Sequence, residues 1–240
     1  MTPDGQSAPA QPRRQASLRA VLFDHDGTLV DSEPVHFRLW REVLEPHGIP
    51  LTKEDYQRDH AGVPTPANAR DLVARYALRV TAEHLAGEKN RATADFLARG
   101  AFPLMPGVVE TLAFCRDAGF RLAIVTGAGR SGVDATLRAH GLASFFEAIV
   151  TAEDVTRSKP APECYLLALS KLGLDADECL AIEDSKPGID AAVGAGIACC
   201  GVRNAMSEHH DFSRATEVFG RLADVQRWIT DRHPIAAGGR

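Results

Sequence analysis

The sequence predicts an α/β fold, a doubly wound parallel sheet with an inserted helical bundle. Short apolar runs alternate with stretches of helical periodicity along most of the chain, and this alternation is typical of a parallel sheet covered by helices on both faces. Each apolar run ends abruptly at polar residues, as buried strands do. Between residues 34 and 101 the alternation stops and only helical periodicity remains, which indicates an insertion after the first strand.

Five apolar runs are predicted to be strands. They are short, as strands buried on both faces are, and they cover residues 19–23, 121–125, 148–150, 179–182 and 198–202. Helices are predicted between and after them, with proline near several starts and glycine near several ends, over residues 107–118, 130–140, 161–172, 186–195 and 218–231. Ligands bind beyond the carboxyl ends of the strands in such sheets, so polar residues at those ends are the functional candidates.

The predicted organisation is a core domain interrupted by a second unit. Residues 18–33 and 102–234 form the α/β core, and residues 34–101 form the helical bundle, placed as a lid above the strand ends. Residues 1–17 are rich in Pro, Gln, Ala and Ser and lack the apolar segment of a secretory signal, so they are predicted to be a disordered tail. Residues 235–240 are expected to fray.

Composition excludes several classes of function. The formal net charge of −5, from 27 basic and 32 acidic residues, is too mildly acidic for a protein that coats nucleic acid. No apolar run approaches the ~20 residues of a membrane-spanning helix, so no membrane partner is expected. The five cysteines lack CxxC spacing and are expected to be small buried apolar residues. We therefore expect a protein of the reducing cytoplasm, and a monomer.

Acidic residues follow two of the predicted strands. Asp24 and Asp26 flank His25 directly after the first strand, a pattern that on its own is equally consistent with a solvated turn. Glu183 and Asp184 follow the fourth strand, where unpaired carboxylates at a buried sheet end are costly. A divalent cation would relieve that cost, and hard oxygen ligands favour Mg²⁺.

Two further positions are candidates for anion binding. Thr126 and Gly127 follow the second predicted strand, where the hydroxyl and the N–H groups of these residues and Ala128 could cradle an anion, although Thr-Gly is also common in ordinary loops. Lys159 precedes a proline, which disfavours helical backbone. An extended turn could direct its ammonium into the site, and an ordinary surface lysine is the alternative.

Together these residues predict a site for phosphoryl transfer. A phosphate monoester is close to dianionic at pH 7 and repels an anionic nucleophile unless positive charge is supplied. Mg²⁺ held by Asp24 and Asp184, together with Lys159 and backbone amides, would supply that charge. Asp24 could then attack phosphorus to give an aspartyl phosphate. Asp26 would protonate the leaving alcohol and afterwards deprotonate the hydrolytic water.

Four segments, in order along residues 19 to about 228, resemble the motifs of the haloacid dehalogenase superfamily. They are Asp24-His25-Asp26-Gly27-Thr28-Leu29-Val30-Asp31-Ser32-Glu33, then Thr126, then Lys159-Pro160, and finally Glu183-Asp184-Ser185. The resemblance implies a Rossmannoid core, and the helical insertion is similar to that superfamily's C1 cap. Within the superfamily, the chain looks closest to the β-phosphoglucomutase and phosphoglycolate phosphatase-like enzymes.

The resemblance implies a role for each acid of the site. Asp24 would be the nucleophile and Asp26 the general acid and base. Mg²⁺ would be bound by the carboxylates of Asp24 and Asp184 and by the backbone carbonyl of Asp26. Glu183 would assist, either directly or through water.

The same resemblance implies that Thr126 and Lys159 bind the phosphoryl group of the substrate. His25 occupies a position that is usually apolar in the family. Strand alternation should point its side chain away from the nucleophile. We therefore expect His25 to have a packing role.

Phosphatase and phosphomutase are distinguished by residues of the insertion. His36 lies twelve residues after Asp24, where β-phosphoglucomutase has a histidine that contacts its general acid, although packing is an equally open role for it. The mutase's substrate-binding lysine and arginine align with Ala61 and Thr65, so a bisphosphate would lack its second phosphate contact. We predict a Mg²⁺-dependent phosphatase of a small phosphorylated metabolite, a sugar phosphate, contacted by residues 63–68. A sugar phosphomutase is the alternative.

Overall fold

The computed structural model describes residues 17–208 and 210–233. Its strands are β1 (Ala20–Phe23), β2 (Arg121–Val125), β3 (Ala148–Val150), β4 (Cys179–Glu183), β5 (Ala198–Val202) and β6 (Glu217–Phe219). They form one six-stranded sheet in the order β3-β2-β1-β4-β5-β6, with every neighbouring pair parallel. The predicted doubly wound α/β fold is confirmed. The predicted disordered ends lie outside the described residues, apart from residue 17.

Between β1 and β2 lie the helices of the insertion: α1 (Glu33–Leu44), α2 (Lys53–Asp59), α3 (Thr65–Arg75) and α4 (Ala82–Arg99). The helices that flank the sheet are α5 (Val108–Asp117), α6 (Arg130–His140), α7 (Glu163–Leu172), α8 (Lys186–Gly194) and α9 (Leu222–Arg232). Each agrees with a predicted helix to within two residues at either end, except at the start of α9.

The prediction of a helix over 218–231 is wrong at its beginning. Residues Glu217–Phe219 form β6, which pairs with β5 at the edge of the sheet, and α9 starts only at Leu222. β6 has three residues, one exposed and two half-buried. A strand this short and this open shows too little apolar pattern to be separated from the helix that follows it.

Strand alternation divides the core into two layers, one on each face of the sheet. In β1, Val21 and Phe23 belong to the apolar cluster that also includes residues of α5, α6 and α9. Ala20 and Leu22 belong to the opposite cluster, which includes residues of α7 and α8. β1 lies between β2 and β4, and all four of its residues are buried, which places its carboxyl end at the middle of the sheet.

The insertion has an apolar core of its own, formed by Trp40, Leu44, Tyr56, Ala69, Leu72, Leu85 and others. α2 and α4 are capped at their N-termini by threonines, Thr52 and Thr81, whose hydroxyls accept hydrogen bonds from the N–H groups of Asp55 and His84. Met206, from the loop after β5, packs against this core. The insertion therefore touches the strand-end side of the sheet.

The cysteines are buried, as their apolar surroundings in the sequence predict. All five are free. Within residues 17–208 and 210–233, no helix combines the length and the hydropathy needed to cross a membrane.

Candidate active site

The carboxyl end of β1 sends two consecutive side chains to opposite faces of the sheet. Leu22 faces the layer of α7 and α8, and Asp24 contacts Lys159, whose ammonium lies over the ring of Tyr165 in that same layer. Phe23 faces the other layer, and His25 contacts Thr136 on α6 there. Alternation along a strand thus separates the two side chains.

Lys159 lies at the centre of the site. Its ammonium donates to the Asp24 carboxylate at 2.5 Å, to the Glu183 carboxylate at 2.6 Å and to the carbonyl of Val125 at 2.9 Å. Burial lowers the pKa of Lys159, but the charges of Asp24 and Glu183 outweigh burial and hold the pKa above its ordinary value. Lys159 is therefore a fixed, permanently charged cation beside Asp24.

Glu183, at the end of β4, is fully buried and its carboxylate is shared among several donors. Oε1 accepts from Lys159 and also from the Tyr165 hydroxyl at 2.8 Å, and Oε2 accepts from Ser185 at 3.3 Å. A Cβ at Gly188 would lie 1.9 Å from Oε2, so this position in α8 requires glycine. Glu183 thus orients Lys159, and its oxygens are largely occupied by protein donors.

Asp184 is the next residue, and its carboxylate is held by Asn204 from the loop after β5. The Asn204 amide donates to Asp184 Oδ2 at 2.8 Å and to the Gly27 carbonyl at 2.9 Å. Gly27 has a φ of +81°, and a Cβ there would lie 2.1 Å from Asp184 Oδ2. Asn204 therefore ties Asp184 to the turn that follows β1.

Asp24, Glu183 and Asp184 could hold a metal ion, because one oxygen from each lies within 4.8 Å of the others. The cluster has three buried carboxylates, and the ammonium of Lys159 contacts two of them, Asp24 and Glu183, so the cluster carries excess negative charge. Burial, with repulsion from Glu183, raises the pKa of Asp24 to about 7, and burial with the charges of Asp24 and Glu183 raises the pKa of Asp184. A hard divalent cation would relieve this repulsion, and an all-oxygen donor set suits Mg²⁺.

Asp26 is bound by His25. The His25 ring is fully buried, with Nδ1 3.1 Å from Asp26 Oδ2 and Nε2 3.0 Å from the hydroxyl of Thr136. Burial raises the pKa of Asp26, but His25, Ser32 and His36 together outweigh burial, so the pKa lies below its ordinary value. The predicted packing role of His25 is incomplete: the ring is buried on the far face, yet it is hydrogen-bonded to a predicted catalytic residue.

The predicted anion cradle after β2 is smaller than expected. The Thr126 N–H donates to Val150, and the Ala128 N–H donates to the Thr126 hydroxyl, so two of the three amides are already used. Among the described residues we find no acceptor for the Gly127 N–H. Thr126 is buried, and its hydroxyl hydrogen is free to donate because the oxygen serves here as an acceptor.

His36 is half-buried on α1, in contact with a lysine that the sequence pattern does not single out. Its Nδ1 lies 3.2 Å from the ammonium of Lys89, and its ring packs against Phe102. Lys89, on α4, is 1% exposed and also donates to Thr93 at 2.9 Å. Burial, together with the charge of Lys89, lowers the pKa of His36 to about 4. Packing and a polar contact are therefore combined at His36.

The segment expected to contact substrate, residues 63–68, is shaped by hydrogen bonds. Asn68 is buried, and its amide donates to the carbonyls of His60 and Val63. Asn68 therefore fixes the turn rather than facing a ligand. Glu33 also holds this turn, since it accepts from Tyr56 at 2.5 Å and from the Gly62 N–H at 2.9 Å.

The sequence does not predict the hydrogen bonds that four residues make around the site: His25, Lys89, Tyr165 and Asn204. His25 carried one usable signal, a polar side chain where the family is usually apolar. Tyr165 and Lys89 lie in helices with ordinary amphipathic patterns, and Asn204 lies in a loop. Nothing in the local sequence distinguishes these three from surface or core positions.

Comparison with known proteins gives one family. Residues 18–196 match the family model of the haloacid dehalogenase-like hydrolases. Protein CbbY of Rhodobacter capsulatus is 34% identical over 225 residues, which cover 90% of this chain and 98% of the relative. A phosphorylated carbohydrates phosphatase of Thermotoga maritima is 35% identical over 184 residues, covering 75% of this chain and 82% of the relative.

Solved structures share the fold. A mutant of CbbY from Rhodobacter sphaeroides in complex with xylulose-(1,5)bisphosphate has a TM-score of 0.70 and 28% identity, and the match covers 86% of this chain and 96% of that one. The motif residues, the strand order and the family match all agree. The chain therefore belongs to the haloacid dehalogenase-like hydrolases, and it is an enzyme of the phosphoric monoester hydrolase class.

Proposed function

We propose that this chain is a Mg²⁺-dependent phosphatase that hydrolyses a sugar phosphate through an aspartyl phosphate on Asp24. One observation carries the proposal: the Lys159 ammonium touches the Asp24 carboxylate within a buried cluster of three carboxylates. A carboxylate is a useful nucleophile toward a phosphate dianion only where fixed positive charge lies beside it. Lys159 supplies that charge at the required position.

In the first step, an oxygen of Asp24 attacks phosphorus and the bond from phosphorus to the sugar oxygen breaks. Asp26 gives its proton to the leaving oxygen, which departs as an alcohol. The phosphoryl group remains on Asp24 as an acyl phosphate. Asp26 is two residues from Asp24 and half-exposed, so its carboxylate can reach an ester oxygen above the strand end.

In the second step, water attacks the phosphorus of the acyl phosphate. Asp26, now ionised, takes the proton from this water, and the bond from Asp24 to phosphorus breaks. Inorganic phosphate and free Asp24 result, with Asp26 protonated for the next turnover.

Asp24, Asp184 and the backbone carbonyl of Asp26 would hold Mg²⁺. Glu183 would assist through water, because its Oε1 already accepts from Lys159 and Tyr165 and its Oε2 accepts from Ser185. When bound, the ion neutralises charge on the phosphoryl oxygens and on the acidic cluster. The hydroxyl of Thr126, the N–H of Gly127 and the ammonium of Lys159 would hold those oxygens from the other side.

The substrate would be selected by the insertion. We propose residues 34–101 as a cap that closes over a core of residues 18–33 and 102–234, with His36 facing the reacting group. Support for a sugar phosphate comes from the relative that is named a phosphorylated carbohydrates phosphatase and from the bisphosphate bound by CbbY. A monomeric state in the cytoplasm remains a prediction.

A sugar phosphomutase is the second candidate, and His36 favours it. The carboxylate of Asp26 acts to raise the pKa of His36 against the larger effects of burial and Lys89, as expected of a histidine near the general acid. Ala61 and Thr65 argue against this candidate, because neither supplies a cation for a second phosphate. Incubation with β-glucose 1-phosphate and a trace of bisphosphate separates the two: glucose 6-phosphate indicates a mutase, and inorganic phosphate indicates a phosphatase.

The proposed function is tested by measuring phosphate release from a panel of sugar phosphates and short phosphorylated acids. We expect release from at least one sugar phosphate with Mg²⁺ present, and loss of release on chelation of the metal. Asp24→Asn should remove turnover and leave the protein folded, as judged by circular dichroism. A folded wild-type protein that releases no phosphate from any sugar phosphate would contradict the proposal.

A further inference from the structure

The contact between His25 and Asp26 suggests a role beyond packing. His25 is 0% exposed, and both of its ring nitrogens have partners, Asp26 Oδ2 at 3.1 Å and the Thr136 hydroxyl at 3.0 Å. Thr136 is also fully buried, on α6. Burying an imidazole is costly unless both nitrogens are satisfied, so an apolar side chain would serve plain packing better.

The partners determine how the ring is held. An ionised carboxylate only accepts hydrogen bonds, so Nδ1 of His25 carries a hydrogen and donates to Asp26. Nε2 makes the second contact of the ring, with the hydroxyl of Thr136. The chain Thr136 to His25 to Asp26 therefore fixes the ring at one end by a helix residue and presents a donor to the carboxylate at the other.

We propose that His25 is a positioning residue that holds the carboxylate of Asp26 in place for proton transfer, with Thr136 as its anchor. The proposal rests on the proposed function, in which Asp26 serves as general acid and base. His25 occupies Oδ2, which leaves Oδ1 for the ester oxygen in the first step and for water in the second. A general acid must lie within hydrogen-bond reach of its proton acceptor, so a fixed orientation raises the rate.

The position of Asp26 in the fold explains why its carboxylate needs a hydrogen-bond donor to orient it. The residue lies in the turn after β1, outside the sheet, and its side chain is 31% exposed. Its neighbour Gly27 adopts a left-handed conformation, and Leu29 and Val30 donate back to the His25 carbonyl. The turn fixes the backbone, and the carboxylate is oriented by side chains, with the donor from His25 first and the hydroxyl of Ser32 beside it.

The experiment compares His25→Leu with His25→Asn, whose amide can replace the donor at Nδ1. The substrate is the sugar phosphate that the wild-type enzyme hydrolyses, and 4-nitrophenyl phosphate serves as an ester whose leaving group needs no acid. We expect His25→Leu to lower kcat on the sugar phosphate by about 10-fold to 100-fold, within the range of general acid catalysis, with KM changed by less than about 3-fold. His25→Asn should recover most of the loss.

The burst of 4-nitrophenolate separates positioning from general damage. Formation of the phosphoenzyme from this ester does not need Asp26, so in His25→Leu the burst rate should stay within about 2-fold of wild type while the later, base-dependent phase slows. An equal loss in the burst and in the steady state would overturn the proposal. So would a folded His25→Leu enzyme with wild-type kcat on the sugar phosphate.

Thr136→Val tests the positioning role of His25 if His25→Leu does not fold. It removes the anchoring hydroxyl at nearly constant shape and should show the same selective loss, about 3-fold to 10-fold, while Thr136→Ser retains activity. Thr111→Val, at an equally buried threonine on α5, is the matched control and should leave kcat unchanged. Wild-type kcat in Thr136→Val would overturn the proposal. Failure of the proposed function would be seen separately, as a wild-type enzyme that releases no phosphate.

Discussion

The ammonium of Lys159 lies 2.5 Å from the carboxylate of Asp24, although 135 positions separate the two residues in the chain. Three elements meet to produce this contact. β1 ends at Asp24, the loop before α7 carries Lys159, and Glu183 at the end of β4 binds the same ammonium. The contact therefore depends on the parallel arrangement of the sheet, and it places a cation beside the proposed nucleophile.

Lys159→Met should remove the charge that allows Asp24 to approach a phosphate dianion. We expect kcat/KM on a sugar phosphate to fall by about 10²-fold to 10³-fold, as for loss of one preorganised donor. Lys171→Met is the matched control, since Lys171 also donates to a backbone carbonyl but lies outside the site. Steady-state kinetics of both variants measure the effect. Activity of Lys159→Met within about 3-fold of wild type would be inconsistent with the proposed site.

Gly188→Ala should disturb Glu183. The added Cβ would lie 1.9 Å from Glu183 Oε2, so the buried carboxylate must move. We expect the free energy of unfolding to fall by about 1–3 kcal/mol, as for overpacking, and turnover to fall with it. Gly194→Ala in the same helix is the control, because its nearest neighbour would be 3.5 Å away. Urea unfolding of the two variants is the measurement, and equal stabilities would show that the close approach is relieved without cost.

Asn204→Ala should weaken metal binding. Asn204 holds Asp184 Oδ2 from outside the metal site, and loss of such outer contacts lowers metal affinity by about 10-fold or more. Calorimetric titration with Mg²⁺ measures this directly, and the Mg²⁺ dependence of turnover should shift in parallel. Asp190→Asn, which alters an acid of α8 that pairs with Lys186 and Arg214, is the control and should bind Mg²⁺ as wild type does. An unchanged affinity in Asn204→Ala would show that Asp184 needs no such support.

Lys89 should make stability depend on pH in a defined window. Burial lowers the pKa of Lys89 to about 8 from the ordinary 10.5, so between these values the unfolded chain binds a proton that the folded chain does not. The free energy of unfolding therefore rises with pH across this window. Below pH 8 the folded chain carries the buried charge of Lys89, so the destabilisation by that charge is complete there. Lys89→Met has no amine to titrate, so its free energy of unfolding lacks this rise with pH. The free energy of unfolding of the variant minus that of wild type should therefore decrease by about 3 kcal/mol as pH rises through the window.

Urea unfolding of wild type and Lys89→Met at several pH values between about 8 and 10.5 tests this prediction. The comparison cancels groups that titrate equally in both proteins. His36, which contacts Lys89, has a pKa of about 4 and does not titrate in this range. Two parallel stability curves would mean that Lys89 ionises normally in the fold.

Much of the fold was predictable because its signals are local. Strands buried on both faces must be apolar along their whole length, so β1 and β4 stand out in the sequence, and polar residues at their ends stand out equally. β6 was missed because three partly exposed residues at a sheet edge carry no such constraint.

The positions of Asp24, Glu183 and Asp184 near one another followed from topology, since parallel strands end at the same edge, and Lys159 lies in the connection that leaves that edge after β3. Side-chain contacts between segments that are distant in the chain could not be predicted from strand topology. Thr136 lies 111 positions from His25, and Asn204 lies 20 positions from Asp184 in an irregular loop. Their partners are determined by the packing of α6 and by the path of the loop after β5, which no local pattern records.

The most direct test of the mechanism is to trap the phosphoryl group. Asp26→Ala should still form the acyl phosphate from 4-nitrophenyl phosphate, because this leaving group needs no acid, and should hydrolyse it slowly. Rapid acid quench followed by peptide mass spectrometry should then locate one phosphoryl group on Asp24. The double variant Asp24→Asn, Asp26→Ala should form no phosphoenzyme. A phosphoryl group on another residue, or release of 4-nitrophenolate with no labelled enzyme at any time, would contradict nucleophilic catalysis by Asp24.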